Sequence, residues 1–263
     1  MATRPNVDVV IPVHGQPLMA IRCVQSLRDQ KRLGSILICD DGSDEPTQTA
    51  LKNLDGVTVY RNPIPQGFIS STNRGVKKTE ASYVLILNSD TEATPGAIEA
   101  MANNLDAGAA VCGALLLYPQ NHPDPYRRGR VQHAGIFFEV DGFPMHFMAL
   151  AQPKNKAVNT WRSVNAVTGA CMMVRREVWD KVGGFDTKFG MGVFDDVSLC
   201  LSVKKLGLDV IYEPKAIVWH YEHASQPQSG GWFTQDNIQR NLATLFLKHG
   251  QPRHDIDIYC KTR

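Results

Sequence analysis

No apolar run in this 263-residue chain reaches the roughly 18 residues that a membrane-spanning helix needs. The opening residues, MATRPN, lead straight into a strand-like run, without the apolar stretch of a secretory leader. A strong charge of either sign is also missing: 28 Lys plus Arg against 26 Asp plus Glu leave a net +2. That balance argues against a dedicated duplex-DNA binder, which carries a basic domain or stripe. It argues equally against an acidic disordered chain. The six cysteines (Cys23, Cys39, Cys112, Cys171, Cys200 and Cys260) contain no C-x-x-C pair. A zinc ribbon or disulfide framework is therefore not expected, and buried free thiols are. The usual phosphate-binding glycine motifs are absent too. No G-x-G-x-x-G follows the first strand, which disfavours a dinucleotide fold, and no G-K-[ST] occurs, which excludes a P-loop. The expectation is a soluble, cytoplasmic protein, with peripheral membrane attachment left open.

What is present is an alternation of strand and helix patterns. Val7–Val13, residues 35–39, residues 57–60, Tyr83–Leu87 and residues 110–117 read as buried strands. Between them, Leu18, Ile21, Val24 and Leu27 recur at helical spacing. Ser43 or Asp44 can cap a helix carrying Pro46, and residues 68–78 and 94–105 read as further helices. Such alternation implies a parallel sheet covered on both faces, with ligands bound beyond the carboxyl ends of the strands. The second half is less regular. Residues 119–130 and 141–159 read as loops, 167–174 as a strand, 175–182 as a short helix, 196–206 as a helix and 217–219 as a short strand. Residues 232–248 read as a C-terminal helix closed by Gly250. The simplest organisation is one domain: a regular first half to about residue 117, a loop-rich second half to about 231, then the C-terminal helix to 250.

Each strand end carries polar residues: Pro12-Val13-His14-Gly15, Asp40-Asp41-Gly42-Ser43, Asn62 with Gln66-Gly67, and Asn88-Ser89-Asp90. Singly, each reads as a turn or helix cap; four on one sheet edge suggest a site. With no glycine loop for phosphates, a bound nucleotide has to be held by carboxylates, backbone groups and a metal. Asp90 is then a suitable hard ligand for Mg2+ or Mn2+. Asp195-Asp196 reads either as negative charge favouring a helix N-terminus or as a general base with an orienting neighbour. His220, in Trp219-His220-Tyr221-Glu222-His223, is either an ordinary histidine or a further metal ligand.

These clusters, in this order, resemble the family 2 glycosyltransferases of GT-A fold, and most closely their rhamnosyltransferase-like branch. The carrying segments are VDVVIPVHG, ILICDDGSDE, NPIPQGFISSTNRG, YVLILNSDTEATPGAI, VTGACMMVRREVWDKVGGFD, FDDVSLCL and IVWHYEHAS, from Val7 to Ser225. The resemblance implies an α/β, Rossmann-like domain with a mostly parallel central sheet flanked by helices. It implies an inverting transfer from a nucleoside-diphosphate sugar, with a UDP- or dTDP-linked donor, a Mn2+ or Mg2+ cofactor, and a glycan or other hydroxyl acceptor. Carried over by position, Pro12, Val13 and His14 line the base pocket, and Asp40, with Asp41 beside it, contacts the base. Asn62, Gly67 and Asn73 close around the donor. Asn88-Ser89-Asp90 matches the D-x-D-type motif, leaving Asp90 as the main metal ligand with His220 as the late histidine. Asp196 matches the base, Asp195 its partner, and Gly169-Ala170 the small-residue segment beside the sugar.

The chain departs from the family pattern E-D-x-D-L-C-L-R. Asp195 stands for Glu, Ser198 for the second Asp and Ser202 for Arg, which leaves open how the base helix is anchored. His14 stands where Tyr or Phe is frequent. Two rival readings follow. A nucleotidyltransferase would need a Gly-rich cationic loop where this chain has Pro12-Val13-His14-Gly15-Gln16-Pro17. A catalytically inactive sugar- or nucleotide-binding module would fit Ser198 and Ser202 as marks of decay, but not the retention of Asp90 and Asp196. The short basic run Arg127-Arg128-Gly129-Arg130 reads as a solvated loop ahead of nucleic-acid binding. Oligomeric state is not set by the sequence.

Overall fold

Strand β1 (Val7–Val13) shows why its sequence is almost wholly apolar. Val7, Val9, Ile11 and Val13 enter one apolar cluster and Val10 enters the other, so both faces of the strand are covered. Its one charged residue, Asp8, is buried, and its carboxylate accepts the backbone N–H groups of Ser35, Glu80 and Ala81 at 2.8, 2.9 and 3.0 Å. A buried charge is tolerated where it is hydrogen-bonded in this way. The computed structural model describes residues 6–222 and 234–255. His223, Ser225, Trp232, Phe233 and Cys260, all singled out in the sequence, lie outside the described residues.

After β1 come α1 (Pro17–Leu27), β2 (Leu33–Asp41), α2 (Glu45–Lys52), β3 (Val57–Asn62), α3 (Gly67–Val76), β4 (Tyr83–Leu87), β5 (Thr91–Ala93), α4 (Ala97–Asp106) and β6 (Val111–Leu117). The second half holds β7 (Val131–His133), β8 (Ile136–Phe138), β9 (Pro144–His146), β10 (Arg162–Ser163), β11 (Cys171–Arg175), α5 (Arg176–Val182), α6 (Asp195–Lys205), β12 (Val210–His220) and α7 (Gln235–His249). The main sheet runs β10-β12-β6-β11-β4-β1-β2-β3, with β5 added on β12 and β7 on β6. Strands β1, β2, β3, β4, β6 and β12 point one way; β11 runs against both of its neighbours. One face is covered by α1 through Ala20, Cys23, Val24 and Leu27 and by α4 through Ile98, Met101 and Leu105. The other is covered by α3, α5 and α6 through Ile69, Trp179 and Val203. The described cysteines, Cys23, Cys39, Cys112, Cys171 and Cys200, are buried free thiols. No helix among the described residues is long and apolar enough to cross a membrane.

Several elements differ from their sequence expectation. Asp44, not Ser43, caps α2, accepting the Thr47 N–H at 3.1 Å. The expected strand at 217–219 is the end of an 11-residue strand, β12. A register shift between Glu213 and Ile217 breaks the apolar pattern there, and the Glu213 carboxylate takes up the Lys215 N–H and the Asn104 amide. Strand β5 is too short to leave a pattern, and β9 forms inside the expected loop 141–159 by pairing with β8. The expected strand 167–174 begins only at Cys171, because the preceding residues turn along a cavity.

Candidate active site

The carboxyl ends of β1, β2 and β4 open onto a cavity of about 740 Å³. Pro12, Val13, His14, Asp41, Gly67, Asn88, Ser89, Asp90, Gly169, Ala170, Asp195, Asp196 and His220 all line it. Asp40, Asn62 and Asn73, also expected at the site, do not reach the lining. They hold its frame. Asp40 pairs with Arg61 and accepts the Ser43 N–H at 3.0 Å. Asn62 donates to Asp41 at 2.7 Å and to the Ser71 hydroxyl at 2.9 Å. Asn73 bonds both backbone groups of Phe185, tying α3 to the loop after α5.

Asp41 is the hub of the nucleotide side. One carboxylate oxygen accepts Asn62 and the Gln66 N–H; the other accepts the Gly67 N–H at 2.8 Å. These bonds fold the chain from β3 into the start of α3. Gly67 has φ +82°, the left-handed region that favours glycine, and a Cβ there would also displace the flexible Met191 side chain, whose sulfur would stand 2.9 Å away. His14 Nδ1–H donates to the Asp41 carbonyl at 2.8 Å, which fixes the ring beside the cavity.

Asp90 and His220 are far apart in sequence and adjacent in space because β5 pairs antiparallel with β12, placing His220 opposite Thr91. His220 Nε2 lies 3.2 Å from the Asp90 carboxylate and 3.5 Å from the Asn88 amide nitrogen. The opposite ring nitrogen, Nδ1, is 2.6 Å from the Gln132 side-chain oxygen. An amide oxygen only accepts, so Nδ1 carries the proton, and in the neutral ring Nε2 turns a lone pair toward a carboxylate. Two acceptors so close fit a hard divalent cation between them, completed by oxygens from elsewhere. No cluster of three His, Cys, Asp or Glu able to hold a metal occurs among the described residues; Asp90 and His220 are the pair that would supply ligands. Burial disfavours charge on His220, but the Asp90 carboxylate outweighs it and holds the imidazole above its ordinary range.

Asp195 and Asp196 open α6. Asp196 accepts the Gly169 N–H and the Val197 N–H, both at 2.8 Å, so its carboxylate is aimed by the turn before β11 and by its own helix start. Burial raises its carboxyl above the usual range, opposed by those two N–H groups. Asp195 is buried, and one of its carboxylate oxygens has no hydrogen-bond partner among the described residues. Burial and the neighbouring Asp196 push it well up. The two residues before Asp195, Val193 and Phe194, have φ of +73° and +68°, a strained approach for non-glycine residues. Asn241, fully buried on α7, holds this approach by donating to the carbonyls of Phe189, Gly192 and Val193. Ser198 Oγ bonds His249 Nε2, so α6 is tied to α7 without the carboxylate of the family pattern, while the Ser202 hydroxyl donates within α6 to the Ser198 carbonyl.

The sequence alone did not point to Gln132, His146 or Thr168, which also line the cavity. His146 Nδ1–H donates to the Gln132 carbonyl at 3.0 Å, and its ring meets that of His133 edge-on at 4.7 Å. Burial lowers both imidazoles, His133 well below its usual value. For Gln132 and His146 the signal was a polar residue in each of the short strands β7 and β9, whose length hid it, and Thr168 lies in the VTGAC segment beside Gly169.

Comparison with known proteins finds glycosyltransferase relatives. The chain is 28% identical over 249 residues to the O-antigen biosynthesis protein RfbC of Myxococcus xanthus, covering 88% of this chain and 19% of that protein. It is 26% identical over 208 residues to the N-acetylglucosaminyl-diphospho-decaprenol L-rhamnosyltransferase of Mycobacterium tuberculosis, covering 72% of this chain and 66% of that one. The chain thus spans less than two thirds of the length of either relative. The fold matches the mannosyltransferase PcManGT of Pyrobaculum calidifontis, solved with GDP-Man and Mn2+, at a TM-score of 0.64 and 16% identity over 98% of this chain and 68% of that one. That likeness establishes the GT-A fold. The family model for glycosyl transferase family 2 matches residues 8–183, ending before Asp195, Asp196 and His220. The chain belongs to glycosyl transferase family 2.

Proposed function

We propose that this chain transfers a sugar from a nucleoside-diphosphate sugar to an acceptor hydroxyl with inversion at the anomeric carbon, as one catalytic domain. The observation that carries the reading is the convergence of two carboxylate groups of different character on one cavity: Asp90 with His220 on one side, Asp195 with Asp196 on the other. Asp90 and His220 would hold a divalent cation, Mn2+ or Mg2+, which when bound would neutralise charge on the leaving diphosphate. The remaining work falls to the chain. The strand-end residues Pro12, Val13, His14 and Asp41 receive the nucleoside, with Asp40 and Asn62 holding that wall in shape and Asn73 fixing α3 to the loop after α5. Asn88 and Ser89 flank the diphosphate, and Gly169 and Ala170 admit the sugar by their lack of bulk. Asp196, aimed by the Gly169 and Val197 N–H groups, removes the proton from the acceptor hydroxyl as that oxygen attacks the anomeric carbon in line with the departing diphosphate. Asp195 orients the acceptor.

The relatives named for O-antigen biosynthesis and L-rhamnosyl transfer favour a UDP- or dTDP-linked donor and a glycan acceptor. A cytoplasmic location, including at a membrane surface, belongs to the same reading. A thermal-shift screen of nucleotide sugars with Mn2+, followed by assay of nucleoside-diphosphate release, tests it. Stabilisation by a donor together with its turnover is expected; stabilisation without any turnover of donor, with or without acceptors, favours the inactive binding module instead.

A further inference from the structure

Gln132 sits at the centre of β7, which pairs with Leu116 and Leu117 of β6 on one edge while β12 pairs with the same residues on the other. That arrangement brings Gln132 within reach of His220 although 88 residues separate them. Both residues are buried, and both line the cavity. Gln132 holds two imidazoles at once. Its side-chain oxygen takes His220 Nδ1–H at 2.6 Å, and its backbone carbonyl takes His146 Nδ1–H at 3.0 Å. The ring of His220 could otherwise flip and present either nitrogen to Asp90.

We propose that Gln132 is the positioning residue of the cation site: by holding His220 Nδ1–H it fixes the tautomer and turns the Nε2 lone pair onto the cation shared with Asp90. The inference rests on the cation-dependent reading above. It follows from the ordinary behaviour of metal-bound histidine, whose other nitrogen must donate to an acceptor for the ligating one to stay unprotonated and oriented. The backbone contact to His146 makes the strand a rigid support, because a side-chain substitution at residue 132 leaves that carbonyl in place. The two contacts can therefore be separated by mutation.

The test is calorimetric titration of Mn2+ into the chain in the presence of UDP or dTDP, comparing wild type with Gln132→Leu and Gln132→Glu. Gln132→Leu is expected to weaken Mn2+ binding by about 10- to 100-fold. Binding of the nucleoside diphosphate without metal, and the melting cooperativity, should stay near wild type. Gln132→Glu keeps an acceptor oxygen and should retain Mn2+ affinity; loss there equal to that of Gln132→Leu would mean that the amide nitrogen is the working end, and would overturn the proposal. Unchanged Mn2+ affinity in Gln132→Leu would overturn it as well, while leaving the cation reading intact. Absence of Mn2+ binding by the wild type, with either nucleotide, would overturn the cation reading and this inference with it. Imidazole nitrogen chemical shifts of His220, read with diamagnetic Mg2+ and at a pH where the ring is neutral, supply an independent readout: the Nδ1-protonated tautomer is expected in wild type and a mixture in Gln132→Leu.

Discussion

Ser198 Oγ, in the first turn of α6, lies 2.9 Å from Nε2 of His249, the last residue of α7. This bond answers the question raised by the departure from the family pattern at residue 198. The helix that carries Asp195 and Asp196 is tied to the C-terminal helix by a neutral pair in place of a carboxylate. Ser198→Ala should therefore cost about 1 kcal/mol of stability, read as a lowered midpoint in denaturant titration. A midpoint equal to wild type would show that the bond contributes nothing.

The same pair gives the protein an acid sensitivity. Burial, then the nearby Lys205 and Lys248 charges, lowers His249 from 6.5 to about 4. Below about 6.5 the unfolded chain takes up a proton that the folded chain refuses until about 4. Stability should thus decline as pH falls through that window and be unaffected by this group above it. His133 and His146 are also lowered and act in the same sense, so the comparison must be with His249→Gln. The variant should lose stability less steeply between pH 6.5 and 4; parallel curves would refute the assignment.

Asp196→Asn keeps the side-chain shape and removes the basic oxygen. Transfer should fall by about 10²- to 10⁴-fold while nucleotide-sugar binding, measured by calorimetry, stays close to wild type. In the wild type the rate should drop with falling pH at a point above the ordinary carboxylate range, because burial raises Asp196 and only its ionised form takes a proton. A variant that transfers at the wild-type rate would remove Asp196 from the mechanism.

Asn241→Leu tests the strained approach to α6. The Phe189 carbonyl keeps the Gly192 N–H at 3.3 Å, but the Gly192 and Val193 carbonyls would lose the Asn241 donor inside the protein, a loss of about 2 kcal/mol or more. Activity should suffer beyond that stability loss, since Val193 and Phe194 set where Asp195 and Asp196 begin. Full activity at a temperature where the variant remains folded would show that the loop holds its shape without α7.

Much of the first half was legible from residues alone, because fully buried parallel strands are short apolar runs and their ends carry the polar clusters. Val7–Val13 and Tyr83–Leu87 are examples whose bounds match the structure. The site's second half was legible only as isolated motifs. Nothing in the spacing of Asp90 and His220 shows that β5 and β12 lie side by side, since β5 has three residues. Asp41 carried a motif that suggested a ligand, and its carboxylate turns out to be occupied by Asn62, Gln66 and Gly67. Gln132 and His146 lie on three-residue strands, too short for any periodicity to set them apart from loop.

The reversed direction of β11 has a mechanical consequence. Every neighbouring strand leaves the sheet at the cavity rim, whereas β11 enters there, so the turn through Gly169 hangs between two fixed points. At its far end Val164 N–H bonds the Val210 carbonyl of β12; at its near end the Ala170 carbonyl takes the Asn88 N–H beside β4. Val167 fills the space that a side chain at Gly113 would need. Moving this short span would break one or both of these bonds to the sheet. Through the Gly169 N–H it sets the Asp196 carboxylate, on a cavity that the β8–β9 hairpin and the loop ahead of α6 also line.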